Sequence, residues 1–115
     1  MPSVFEKIIA GELPATIVHR DDRVIAFIDI RPVAPVHILV VPYQAIPTVN
    51  DIADGDENLI GHMVLVARDL AKKQGIAENG YRLIFNCNAH GGQEVYHLHL
   101  HLIGGRPLGR MVAPA

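Results

Sequence analysis

Three histidines, His97, His99 and His101, alternate with Leu98, Leu100 and Leu102 near the end of a 115-residue chain that holds only seven histidines in all. On an extended strand, residues i, i+2 and i+4 point to one face. The imidazoles then form a row about 6.5–7 Å long, with the leucines on the other face as core. Packing alone would fill such positions with valine or threonine. Three titratable rings side by side also cost desolvation unless each finds a partner. Two chemistries use such a row. A His-x-His pair with a third histidine can hold zinc and leave a position open for water. Alternatively, neutral imidazole is a nucleophile and imidazolium donates to anionic oxygens and leaving groups, so the row can act directly on a phosphate. The residue types leave both open. "HGGQE", residues 90–94, directly precedes the row. Paired glycines let backbone amides approach an anion closely, and a phosphoryl transition state needs such donors.

The elements that must position this row follow from patterning. Ser3-Val4-Phe5-Glu6 has the form of a capping box, and Phe5, Ile8 and Ile9 share a helical face, which predicts a short helix over 3–10 ended by Gly11. "ATIVHRDD" and "RVIAFID" predict a hairpin connected at Asp21-Asp22, and "HILVVP", 37–42, predicts a buried strand ended by Pro42. Leu59, Ile60, Met63, Val64, Ala67, Leu70 and Ala71 recur at helical spacing, with Asp54 and Glu57 as the expected cap and Gly75 as the stop. "YRLIFN", 81–86, and "VYHLHLHLI", 95–103, predict two more strands. The sum is an α+β domain: about five strands in a largely antiparallel sheet, with both helices on one face. Residues 106–115 are a short tail.

Composition narrows the function. The net charge is −2, which lacks the basic surplus of a binder of nucleic-acid polymer but leaves a single nucleotide open. A single cysteine, Cys87, rules out an internal disulfide and fits a reducing compartment. The longest apolar run is too short to span a bilayer, and the N-terminus lacks a signal-peptide pattern, so a cytoplasmic protein with no membrane partner is expected. His19 and His62 are read as surface residues, His90 as a loop residue near the glycines that could approach an anion but is left out of the site, and Cys87 as an inert thiol.

With these residues in view, the sequence resembles a known family. His97 to Ile103 fits H-φ-H-φ-H-φ-φ, with φ apolar, the signature of the histidine triad (HIT) superfamily. "GGQEVYHLHLHLIGGRPLG" resembles the Hint branch, the purine nucleoside phosphoramidases, and the similarity runs from about Val4 to Gly109. The resemblance implies a single HIT domain over 1–115, with two five-stranded sheets joining into a ten-stranded sheet in a homodimer. It implies hydrolysis of the P–N bond of adenosine or guanosine 5′-phosphoramidates, and of aminoacyl adenylates, to a nucleoside monophosphate, with purine nucleotides such as AMP and GMP as ligands. It implies no metal and no cofactor. Carried over by position, His99 is the nucleophile that becomes nucleotidyl-histidine. The carbonyl of His97 orients it, His101 contacts phosphate and leaving group, and His37 supports the triad. Asp29, with Ile30 beside it, accepts from the ribose hydroxyls. Phe5, Ile8 and Phe27 wall the purine, and Asn86, Gly92 and the amide of Val95 lie near the phosphate.

Two positions depart from the pattern of many members. Glu94 replaces a serine that hydrogen-bonds the leaving group or phosphate. A carboxylate there would favour a cationic amine such as a lysyl group. The tail is short and lacks an aromatic anchor. Alternative readings are a dinucleoside polyphosphate hydrolase, disfavoured by Glu94, a purine-nucleotide-binding regulatory module, and a metal hydrolase.

Overall fold

The computed structural model describes residues 2–114. Helix α1, Val4–Ile9, begins at the Ser3 cap: the Ser3 hydroxyl accepts from the Glu6 amide and the Glu6 carboxylate accepts from the Ser3 amide, both at 3.1 Å. Strands β1, Ile17–Arg20, and β2, Val24–Ile28, form the hairpin. Asp21 closes its turn, with Oδ1 accepting from the amides of Arg23 and Val24. Strand β3, Val36–Pro42, is followed by two 3₁₀ turns, Val49–Asp51 and Asp54–Asp56. Helix α2, Glu57–Lys73, then leads to β4, Tyr81–Ile84, and β5, Leu100–Gly104. The strands form one antiparallel sheet in the order β1-β2-β3-β5-β4.

The helices lie on opposite faces of this sheet, not on one as the patterning suggested. On β2, Val24 and Ala26 pack with Met63, Val66, Ala67 and Leu70 of α2, while the alternate residues Ile25 and Phe27 pack with Phe5 of α1. Strand β3 divides likewise: Ile38 and Val40 face α2, Leu39 and Val41 face α1. A strand covered on both sides reads as an unbroken apolar run, which carries no sign of how many helices cover it. Leu98, Leu100 and Leu102 belong to the α2 face, each at most 2 % exposed. Truncating one of them to alanine costs about 2–5 kcal/mol.

Three further expectations change. The last strand is shorter than 95–103: pairing begins at Leu100, opposite Val40. The register would set Leu98 opposite Pro42, which has no N–H to give. The Leu98 amide donates instead to the Ile46 carbonyl at 2.6 Å. Asp54 does not cap α2; it opens the 3₁₀ turn that runs into the helix, and Asp56 accepts from the Ala53 amide. Within α2, Val66 is buried and Val64 is exposed.

Candidate active site

The site lies on the α1 face of the sheet, where β3 and β5 run side by side. His101 pairs across the ladder with Leu39, so both side chains share that face, and His37 joins them two residues before Leu39. The extended segment ahead of β5 keeps the alternation without a ladder. His97 and His99 therefore stay on the histidine face while the leucines enter the core. Phe5 seats them, its ring 4.8 Å from His99 and 6.1 Å from His97, edge-on in both cases. The His99 and His101 rings are 4.9 Å apart and those of His37 and His101 are 5.2 Å apart.

Hydrogen bonding assigns the protons. His99 Nδ1 lies 2.7 Å from the His97 carbonyl, which only accepts, so Nδ1 carries the proton and the lone pair is on Nε2. His99 is 8 % exposed, and its Nε2 has no protein partner yet is not a buried orphan among the described residues. That nitrogen is where the ring meets solvent. His97 Nε2 donates to the Pro42 carbonyl at 2.8 Å, which holds the whole segment against the end of β3. Its Nδ1 is buried with no partner. The Val33 amide donates to His37 Nδ1 at 3.2 Å, so the His37 proton is on Nε2. From there it faces His101 Nδ1 at 2.9 Å and Asp29 Oδ2 at 3.4 Å. Accepting at Nδ1 leaves His101 with its N–H at Nε2, the second nitrogen directed outward.

Burial sets the charge state. It lowers His101 from 6.5 to about 4, with the positive forms of His99 and His37 adding to the shift and Asp29 opposing it. Burial likewise lowers His99, against the hydrogen bond to His97 that favours its charged form. Burial lowers His37 too, opposed by Asp29. At neutral pH His37, His99 and His101 therefore rest uncharged, with His99 offering a lone pair and His101 an N–H.

The remaining expected residues gather unevenly. Phe5 and Phe27 are buried with rings 5.6 Å apart, and Ile8 packs on the same cluster. Asp29 Oδ1 accepts from the Arg31 amide, which leaves Oδ2 for His37. Ile30 is 92 % exposed and stands outside this packing. Asn86 donates to the Gly91 carbonyl at 2.7 Å. Gly92 adopts φ +77°, and its amide is used by the Ala89 carbonyl, whereas the Val95 amide has no partner among the described residues. Glu94 is exposed at the edge of the loop. At Gly91 a Cβ would collide with the Cys87 backbone, so the first glycine of the pair is a close-approach position.

Patterning did not single out the groups that hold these residues. Gln93 is 8 % exposed and ties the glycine loop down: it donates to the carbonyls of Pro47 and Val95 and accepts from the Asn88 amide. Its only sequence signal was its place between the glycines and the histidine row. Arg106 donates to the Val33 carbonyl at 3.0 Å and so holds the residue whose amide fixes the His37 tautomer. The triad rings do not converge on one point as a zinc site would. The ligand atoms that lie within 4.8 Å of one another among the described residues belong to Asp29, His37 and His101, and separately to His19, Asp21 and His62.

A four-histidine cluster of this geometry on a five-stranded antiparallel sheet defines a class. Residues 2–110 match the family model described as Scavenger mRNA decapping enzyme C-term binding. The chain is 58% identical over 111 residues to the purine nucleoside phosphoramidase of Escherichia coli K12, covering 96% of this chain and 93% of the relative. A HIT family hydrolase from Legionella pneumophila Philadelphia 1 superposes with TM-score 0.91 at 50% identity, covering 93% of this chain and 96% of the other. A histidine triad nucleotide-binding protein from Candida albicans superposes with TM-score 0.81 at 26% identity, covering 99% and 86%. The chain belongs to the histidine triad (HIT) family.

Proposed function

We propose that the protein is a purine nucleoside phosphoramidase that hydrolyses adenosine and guanosine 5′-phosphoramidates through a covalent nucleotidyl-His99 intermediate. The observation that carries this reading is the His99 tautomer: a proton held on Nδ1 by a backbone carbonyl and a free lone pair on Nε2 beside the Nε2–H of His101. The name of the Escherichia coli relative supplies the substrate class.

In the first step His99 Nε2 forms a bond to phosphorus and the P–N bond breaks. The amine leaves with a proton delivered at His101 Nε2. In the second step water attacks phosphorus, the Nε2–P bond breaks, and the proton released by water restores His101. The sum is water plus phosphoramidate giving nucleoside monophosphate plus amine. An anionic phosphate beside His101 favours the protonated ring that the free protein disfavours, so substrate binding primes the acid. A doubly protonated His101 no longer accepts at Nδ1, so Asp29 Oδ2, 3.4 Å from His37 Nε2, is the acceptor left for the His37 N–H. Phe5, Ile8 and Phe27 offer the purine an apolar wall, Asp29 faces the ribose, and the Val95 amide donates to the phosphate. The sheet has two edge strands, β1 and β4, and pairing of a second copy along one of them gives a homodimer. Light scattering at about twice the 12.6 kDa chain mass supports that assembly, and the monomer mass rejects it.

The test is intact mass spectrometry of chelator-treated protein mixed with adenosine 5′-phosphoramidate and quenched early. Wild type is expected to release AMP and carry a nucleotidyl adduct that His99→Ala and His99→Gly lack. Turnover only after zinc is restored moves the reading to a metal hydrolase. Nucleotide binding without turnover moves it to a regulatory module.

A further inference from the structure

A second histidine cluster lies on the α2 face, across the sheet from the active site. His19 pairs with Ala26 in the β1–β2 ladder and so shares the side that α2 covers. His62 stands on α2 one turn before the buried Val66, and Asp21 closes the hairpin. Sequence patterning left both histidines as solvated bystanders; instead each places Nε2 2.7 Å from the same oxygen, Oδ2 of Asp21. The other carboxylate oxygen is held by the amides of Arg23 and Val24, which aims Oδ2 at the two rings. All three side chains are partly buried, at 28%, 23% and 21% exposure for His19, Asp21 and His62. Nothing in the proposed chemistry uses them.

We propose that His19, Asp21 and His62 form a binding site for one divalent transition ion of the zinc type, clamping the hairpin to α2. The three donor atoms come from three separate elements and lie within 4.8 Å of one another. Two imidazoles and one carboxylate suit borderline ions such as zinc and leave an open position. Around zinc, ligand atoms sit about 3.3 Å apart for metal–ligand bonds of about 2.0–2.1 Å. The rings therefore withdraw from Oδ2 by about half an ångström, within reach of side-chain torsions alone. A groove of about 390 Å³ runs beside His19, bounded by Asp69, Lys72 and Lys73 of α2. Each Nε2 now donates a proton to Oδ2; for Nε2 to ligate an ion, each neutral ring shifts that proton to Nδ1, and the ion takes the place of the two N–H···O contacts.

The experiment is calorimetric titration of the chelator-treated full chain with zinc chloride, with the thermal midpoint followed in parallel. Wild type is expected to bind one equivalent and to melt at higher temperature with zinc. His19→Ala and His62→Ala are each expected to weaken binding at least tenfold and to abolish the thermal shift. Circular dichroism checks their fold, and His62→Gln supplies a variant of similar bulk. His101→Ala, which dismantles the other cluster of metal-ligating groups, is expected to keep the equivalent. No uptake by wild type reduces the cluster to a hydrogen-bonded clasp and overturns the proposal. Uptake that survives His62→Ala, or is lost in His101→Ala, places the ion elsewhere and overturns it equally.

Discussion

The two histidine clusters sit on opposite faces of one sheet, and they hold imidazole in opposite ways. In the first, a backbone carbonyl partners His99 and the His37 ring partners His101, and burial drives His99 and His101 to the uncharged form. Around Asp21 the rings converge on a carboxylate. Burial would raise that group, but the hydrogen bonds from His19, the Arg23 and Val24 amides and His62 outweigh it and hold Asp21 well below the usual carboxylate range. The first arrangement leaves a lone pair and an N–H facing solvent, which is what group transfer needs. The second turns both donors inward onto one oxygen, which serves cohesion or an ion. The environment of an imidazole thus decides its chemistry more than its presence does.

Activity separates the clusters most strongly. His101→Ala is expected to lower kcat/KM for adenosine 5′-phosphoramidate by about 10²–10⁴-fold, the usual contribution of a positioned acid. His62→Ala, across the sheet, is expected to stay within about twofold. Comparable losses in the two would show that the faces are coupled and the division drawn above is wrong.

Acid stability separates them next. Histidines with lowered folded values take up protons more readily in the unfolded chain, so stability is full above 6.5, the ordinary histidine value, and falls as the pH drops toward about 4. Asp21 acts in a lower window: its contribution is present above 3.8, the ordinary carboxylate value, and is lost only below that. Urea midpoints measured from pH 7 to about pH 2 should therefore fall in two stages. His101→Ala is expected to flatten the upper stage by about 1–3 kcal/mol after discounting for solvent, and Asp21→Asn should flatten only the lower one. A single stage removed by either variant would contradict the assignment.

The smallest effect concerns specificity at the active-site rim. Glu94 is exposed, and an exposed ion pair is worth at most about 1 kcal/mol, a factor of about five. Glu94→Ser is expected to lower the preference for a lysyl over a neutral-amine phosphoramidate by about that factor. An unchanged ratio of kcat/KM values removes Glu94 from substrate choice.

Local pattern alone placed much of this molecule. The Ser3–Glu6 capping box, the hairpin at Asp21 and the sharing of one face by the three histidines depend on residues a few positions apart, where backbone geometry dictates which side chains meet. Where pattern and structure part, the partner lies far along the chain. His62 meets Asp21 across 41 positions, His37 meets His101 across 64 and Arg106 meets Val33 across 73. Periodicity assigns a residue to a face but not to a neighbour on that face, so His62 read as solvated and the helices as lying on one side. The shortened β5 has the same origin, because the missing N–H of Pro42 matters only once the ladder register sets Leu98 opposite it. That an imidazole row could do chemistry was written in residue types and spacing. Which nitrogen carries each proton was decided by the carbonyls and amides that folding brings to the rings, because a tautomer follows its hydrogen-bond partner.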